Sequence, residues 1–484
     1  MDLSVLCTPP GERGWKGWKD DWLPHFLFIP LGFSFLWNSS VSDKLIHFKN
    51  AIVTIREKLN ANKSHGPANG ILRMEKFWPL ILFVLTALVF FKLTLLPSAT
   101  KLTHGFAAYY TASRLVIEHR GGASFYVDEA FHAEVSQMTH GQVNDIYWAN
   151  PPTTALMFIP LAALPISTAR AVWTGILLIS LFCAVAIVDL AIFGKPFRTR
   201  GFYIATSILF FSAPVAANFQ YGQVYLLLLA FYAVALLGLQ RGHDWLAGLF
   251  LALLLAFKAS GLPLLLLLMI HKKWRALIWI SIFWAAIFLL SLPLVGVSTW
   301  RVYLRSVLPE FLSDHAITAT AYQTVPGLMR HLFVYDPIWN PDPILHWPGF
   351  ASLVSVLVTI ALVGIASRGS RNSSLLQMFC LGLILSVILV PAAEQHHYVL
   401  LLPAVFLAVR SRSVPKVLLL MAVALIALPL NYTVNALANG WWSLLAYPRL
   451  YGAILLFVAL LYYEDDSVVG EFEAINIDAN ARAQ

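Results

Sequence analysis

Charged side chains are scarce in this sequence. Asp, Glu, Lys and Arg make up 12% of its 484 residues, where a soluble globular protein carries about 25%. Together with an apolar share of 59%, that shortage excludes an ordinary soluble domain. Cysteine is scarce as well. Cys7, Cys183 and Cys380 stand too far apart for a zinc cluster or a disulfide framework. The glycine-rich phosphate loop, the dinucleotide fingerprint and the His-Glu-x-x-His helix are all missing. Nucleotide chemistry, dinucleotide chemistry and that form of zinc chemistry therefore have no support, no metal site is expected, and no cofactor is implied by any motif.

What the sequence has instead is long apolar runs. Residues 77–96 hold one lysine in an otherwise apolar stretch, and about 20 such residues cross a hydrocarbon core of about 30 Å. Comparable runs recur to residue 461, so membrane lipid is the first partner the sequence implies. The net charge of +8 would suggest nucleic acid in a soluble protein. Here the Lys and Arg residues gather in short loops, at 195–200, 241–244, 271–275, 368–371 and 410–416. Such clustering marks the cytoplasmic side of a multi-spanning protein, and no nucleic-acid partner is expected.

Placing those five loops inside leaves 97–150, 220–223, 258–261, 297–346, 394–398 and 431–442 outside. The alternation closes with about 12 spans and both chain ends in the cytoplasm. The expected fold is all-α: a polytopic membrane helical bundle with two large non-cytoplasmic loops, both read as folded. Residues 152–166 are too short to span upright, and prolines at 151, 152, 160 and 165 predict a broken, re-entrant or tilted helix there. Three regions result. Residues 1–73 form an N-terminal extension, poorly packed or interfacial and expected to be dispensable; 74–463 form the transmembrane domain; 464–484 form a cytoplasmic tail.

Chemistry concentrates outside. The first outer loop carries Asp128 and Asp145 among its acids, with Tyr109, Tyr110, Tyr126 and Trp148 suited to sugar faces. A carboxylate there can take a proton from a hydroxyl nucleophile. Lys258 interrupts apolar sequence between two short spans. A lysine at membrane depth costs about 2.5–3.5 kcal/mol on insertion scales, so it is expected to face protein, water or an anionic ligand such as a lipid phosphate. The turn at 394–398 contributes Gln395, His396 and His397, and the second outer loop contributes Gln323 and Arg330.

Several pieces fall in a telling order: Tyr-Tyr-x-Ala-x-Arg at 109–114, Phe-Tyr-x-Asp at 125–128, Asn-Pro-Pro at 150–152 and Pro-Leu-Ala-x-Leu-Pro at 160–165. They are followed by Gln-Tyr-Gly-Gln-Val-Tyr at 220–225, Phe257-Lys258, His-Lys-Lys-Trp-Arg at 271–275 and Pro-Ala-Ala-Glu-Gln-His-His-Tyr at 391–398. Over residues 74–463 this pattern resembles glycosyltransferase family 87, which includes polyprenol-phosphate-mannose-dependent mannosyltransferases. The resemblance implies the C-type glycosyltransferase superfold and a multi-pass protein of a bacterial plasma (inner) membrane. It also implies a polyprenyl-phosphate-sugar donor and a lipid or glycan acceptor. Taken with the residues read above, the candidate binding set is Tyr109, Tyr110, Arg114, Tyr126, Asn150, Gln223, Lys258, Gln323, Arg330, Gln395, His396 and His397.

The sequence departs from the family at one place. An Asp is expected beside the Phe that precedes the tyrosine pair, and this chain reads His104-Gly105-Phe106 there. The base is then His104, or Asp128 or Asp145 folded back over the site; the residues alone do not choose. Two other readings stay open: an inactive family member, and a transporter or flippase of a lipid-linked glycan, although no second half with matching broken helices is visible.

Overall fold

The computed structural model describes residues 71–148, 150–194, 199–313, 315–371 and 374–463. The extension at 1–73, apart from its last three residues, and the tail at 464–484 lie outside the described residues. The chain divides into two units, Met1–Trp78 and Pro79–Gln484. Only the start of the first helix belongs to the described part of the former; every other described element belongs to the latter.

Secondary structure among the described residues is helical, with one isolated bridge between Asp336 and Asn340. That is what apolar surroundings impose, because a helix satisfies its own backbone groups where water cannot. Helix α1 (Ile71–Phe90) continues through a π-helical turn at Phe91–Leu95 into Leu96–Thr100. The first outer loop folds into α2 (Phe106–Ile117) and α3 (Asp128–Thr139). Then come α4 (Ile166–Phe193), α5 (Thr199–Phe210), α6 (Ala213–Tyr221), α7 (Tyr225–Gln240), α8 (Asp244–Lys258), α9 (Leu262–Ile270) and α10 (Trp274–Val295). The second outer loop is folded too and contains α11 (Val325–Phe333). The chain closes with α12 (Pro348–Gly369), α13 (Leu375–Ile388), α14 (Leu402–Arg410), α15 (Lys416–Ala427) and α16 (Pro448–Leu461).

Among the described residues, four helical stretches are long and apolar enough to cross a membrane: Phe77–Thr100, α4, α10 and α12. Two bent pairs, α5 with α6 and Gly440–Ala446 with α16, raise the number to six if each is one broken span. The remaining runs that the sequence offers as spans form the shorter helices α7, α8, α9, α13, α14 and α15. At 15 residues, α8 is about 22 Å long, short of a full hydrocarbon thickness. Residues 152–166 form two single helical turns, Thr154–Met157 and Ile159–Ala162, as the prolines predict.

Helix ends gather into two groups. At one, Arg170 donates to the carbonyls of Lys101 (3.1 Å) and Phe219 (2.6 Å), Asn218 to that of His396 (2.8 Å), and the Gln323 amide to that of Ala393 (2.9 Å). At the other, Gln240 donates to the Ala191 carbonyl (2.9 Å), Arg410 to that of Ile192 and Gln377 to that of Leu460 (2.7 Å), and His271 meets Ser370 at 2.8 Å. The first group draws on loops read as outer, at 97–150, 297–346 and 394–398, and the second on helix ends next to loops read as inner.

Among the described residues there are two apolar cores. The larger runs through the helix bundle. The smaller joins α2, α3 and residues 143–155 to Val295, Trp300, Tyr303 and Val307 at the start of the second outer loop. Its centre is Tyr147, whose ring lies 5.3 Å from Phe125 and 5.5 Å from Phe131. Burial of side chains this size contributes about 1.5–3 kcal/mol each, enough to hold this segment as a cap on the bundle.

Candidate active site

Helix α8 stops at Lys258 because Ala259 and Gly261 both take left-handed backbone, with φ of 47° and 96°. Only glycine fits at 261, where a Cβ would stand 2.7 Å from the Tyr232 hydroxyl. Two of the helix's terminal carbonyls are satisfied by the cap: Thr154 donates to Phe257 O at 2.6 Å, and Thr153 donates to Ala256 O. The same segment presents Asn150, whose Oδ1 accepts from Lys258 Nζ at 2.6 Å. The ammonium lies 4.9 Å from the Tyr109 ring centre and 5.9 Å from that of Tyr225, both cation–π distances. Among the described residues no carboxylate is in ion-pair contact with it.

Asp145 folds back onto the start of α2. Its Oδ2 accepts from the amides of Gly105 (2.6 Å) and Ala108 (3.2 Å), and its Oδ1 from its neighbour Ile146 (3.0 Å). A carboxylate therefore stands beside Phe106, where the family resemblance expects an Asp, although it comes from 40 positions downstream. Burial pushes its pKa up to about 7, against the pull of the three amides. Gly105 makes the close approach possible: its φ is +86°, and a Cβ would meet Gln223 Nε2 at 2.6 Å and Tyr221 O at 2.8 Å. Gln223 in turn accepts from the Tyr109 hydroxyl at 2.8 Å, and the His104 ring stacks on Tyr221 at 4.8 Å.

The turn at 394–398 closes the third side. The Glu394 side chain accepts from the His397 amide, while His397 Nδ1 accepts from the Glu394 amide at 3.1 Å. That bond leaves the proton of a neutral His397 on Nε2. The Tyr225 ring lies 4.0 Å from His397 and 5.0 Å from His396. Burial, followed by the Lys258 charge, holds the His397 pKa low, so the imidazole is neutral. Burial raises Glu394 to about 7, with Lys258 acting the other way.

Of the residues singled out in the sequence, the structure brings His104, Tyr109, Asp145, Asn150, Gln223, Lys258, His396 and His397 together. Tyr126 supports this group from behind, donating to Asn150 O at 2.7 Å. The others bond elsewhere. Arg114 pairs with Glu118 at 2.6 Å and donates to Ala162 O, Tyr110 donates to Leu164 O, and Arg330 donates to Leu312 O. Buried Gln323 holds Thr320 and Ala446 together, and Gln395 accepts from Arg449 at 3.0 Å. Asp128 begins α3, half-buried. Sequence reasoning did not place Glu394 or Tyr225 among the site residues, although both lie in motifs it quoted.

A cavity of about 850 Å³ runs between α4, α5, α6, α14 and α15. Its lining is mainly apolar, with Tyr398 of the histidine turn, Ser212 and Asp189 as the polar exceptions.

The sequence profile of glycosyltransferase family 87 matches residues 148–391, half of the chain. The chain belongs to glycosyltransferase family 87. The matched segment holds Asn150, Gln223 and Lys258, while Asp145 and Glu394 flank it within a few residues. Two relatives show how this family 87 chain compares with known members. One is the polyprenol-phosphate-mannose-dependent α-(1-2)-phosphatidylinositol mannoside mannosyltransferase of Mycobacterium tuberculosis, 25% identical over 267 residues, which covers 53% of this chain and 60% of the relative. The other is the corresponding pentamannoside mannosyltransferase of Mycolicibacterium smegmatis, 24% identical over 253 residues, covering 52% and 58%. The chain thus spans about three-fifths of the length of the curated relatives it matches. No solved structure matches it.

Proposed function

We propose that this protein is an inverting membrane mannosyltransferase that uses a polyprenyl-phosphate-mannose donor. Its acceptor is a lipid or glycan on the non-cytoplasmic face of a bacterial plasma (inner) membrane. The observation that carries the reading is Lys258, a cation at the end of an apolar helix, held by Asn150 between two tyrosine rings. A donor phosphate is the anionic ligand such a cation suits, and neutral His397 adds an N–H donor for the leaving group.

Asp145 serves as the base in this scheme. It takes the acceptor hydroxyl's proton as the oxygen attacks the sugar carbon from the face opposite the phosphate. The apolar cavity ending at Tyr398 suits a prenyl chain whose head lies at the histidine turn. The charge of the basic loops supports about 12 spans with the site outside, and the multi-helix architecture fits a C-type glycosyltransferase. The family membership and the mannosyltransferase relatives support the donor class.

The test is direct. Purified protein in lipid nanodiscs is incubated with labelled polyprenyl-phosphate mannose and phosphatidylinositol mannosides. A labelled, longer glycolipid is expected. Hydrolysis alone, or no product with any lipid or glycan acceptor offered, overturns the reading.

A further inference from the structure

We infer that Glu394 is a second catalytic residue, the acid that protonates the departing phosphate. The inference rests on the mannosyl-transfer reading above and assigns the half of the reaction which that reading leaves to electrostatics. Two carboxyls share the Lys258 surroundings but come from different parts of the fold. Asp145 belongs to the cap and is anchored on α2. Glu394 belongs to the bundle and lies in the histidine turn, its side chain 20% exposed. Both influence Lys258, Glu394 the more strongly, yet neither is in ion-pair contact with it among the described residues. The ammonium thus has no bonded counter-ion among the described residues, with one carboxyl on the cap side and one on the bundle side.

Charge bookkeeping favours unlike protonation states. One lysine facing two ionised carboxylates would make the pocket net negative and repel a phosphodiester. With Glu394 protonated, the trio of Lys258, Asp145 and Glu394 is neutral. The other groups around Glu394 are His396 and His397 on its own turn, neutral through burial and the nearby cations, and the phenols Tyr221, Tyr225 and Tyr432, with His104 stacked on Tyr221 from the cap side. Arg449 is committed to Gln395 and to backbone carbonyls.

The step balances. The acceptor oxygen forms a bond to the anomeric carbon and its proton passes to Asp145, while the carbon–oxygen bond to phosphate breaks. The phosphate leaves with that electron pair and takes the Glu394 proton. A phosphate monoester has a second pKa of about 6, and burial raises Glu394 to about 7, so the transfer is nearly matched. Water then resets both carboxyls.

Glu394→Gln separates this role from turn capping, because a glutamine oxygen still accepts the His397 amide. In nanodiscs the variant is expected to unfold at the wild-type temperature and to bind polyprenyl-phosphate mannose at least as tightly. Its single-turnover rate should fall by about 10²-fold or more, and the alkaline limb of the rate profile near pH 7 should shrink to the part set by loss of the Lys258 charge. A variant with a near wild-type rate and an intact limb overturns the assignment. If the glutamine variant fails to fold, the wild-type protein decides: a single-turnover rate that does not fall above pH 7 overturns it equally. Lys258→Met inactive with Glu394→Gln active sinks this assignment alone, whereas a wild-type chain that transfers no mannose sinks the underlying reading too.

Discussion

Lys258 and Asn150 are 108 positions apart in sequence and 2.6 Å apart in space. The bond ties the end of a bundle helix to the cap and fixes an ammonium that would otherwise snorkel away. Lys258→Met keeps much of the stem's packing and removes the charge. Transfer assays should show turnover lost by about 10²-fold or more, as for removal of a key electrostatic stabiliser, with the far-ultraviolet spectrum unchanged. His397→Ala should cost less, because it removes one neutral donor.

Asp145→Asn is the sharpest test of the base. The amide oxygen still accepts from Gly105, so α2 keeps its cap, but no proton can be taken. The rate should fall by about 10²–10⁴-fold. In the wild-type protein the base is lost as pH falls through the Asp145 pKa of about 7, which puts an acid limb there. Retention of that limb in a still-active Asn variant would assign the base elsewhere, with His104 next in line.

Stability should follow the same two acids with a defined sign. Both Asp145 and Glu394 have folded-state pKa values raised to about 7 by burial. Between about pH 4 and pH 7 the folded protein therefore holds more protons than the unfolded chain, and stability falls as pH rises through that window. Buried His396 and His397, held neutral in the fold, act with the opposite sign, so the two acids are read as a difference: from pH 5 to pH 8 the wild-type unfolding midpoint in nanodiscs should fall relative to that of the double variant Asp145→Asn, Glu394→Gln.

Gly105→Ala should be costly although it adds one methyl group. The position needs φ of +86° and leaves no room beside Gln223 and the Tyr221 carbonyl. Strain of about 1–3 kcal/mol is expected, seen as a lower unfolding midpoint together with reduced transfer. An unchanged variant would show that the cap does not need this close approach.

Sidedness can be tested by labelling. In a chain freed of native cysteines, single cysteines at 128 and 271 should react from opposite faces, with 128 accessible from outside. Reaction at 271 from outside would invert the topology and remove the site from the proposed face.

The all-helical class and the long apolar helices were legible in the sequence, because apolar runs are local signals, whereas the expected 12 or so spans exceed the four to six stretches that are long and apolar enough to cross among the described residues. Lys258 was legible for the same reason, as a polar break between two such runs. Asp145 was visible only as one of three candidate bases. Its position beside Phe106 depends on how the chain folds between Gly105 and Asp145, 40 positions apart, and no local pattern encodes that. Glu394 was overshadowed by its histidine neighbours, since its significance comes from facing Lys258 across the site. Arg170 and Arg449 are fully buried, yet they went unremarked because their partners are mainly backbone carbonyls at the ends of other helices, which a sequence does not display.

The two separate cores have a mechanical consequence. In the proposed scheme the base Asp145 sits on the cap, whereas Lys258 and the histidine turn sit on the bundle, so the reaction coordinate crosses a seam between them. A misplacement of about 1 Å can cost 10²-fold in rate. Loosening the cap from within, far from any reacting atom, should therefore detune the chemistry well before it unfolds the protein. Phe131, buried beside Tyr147, is such a remote setting screw.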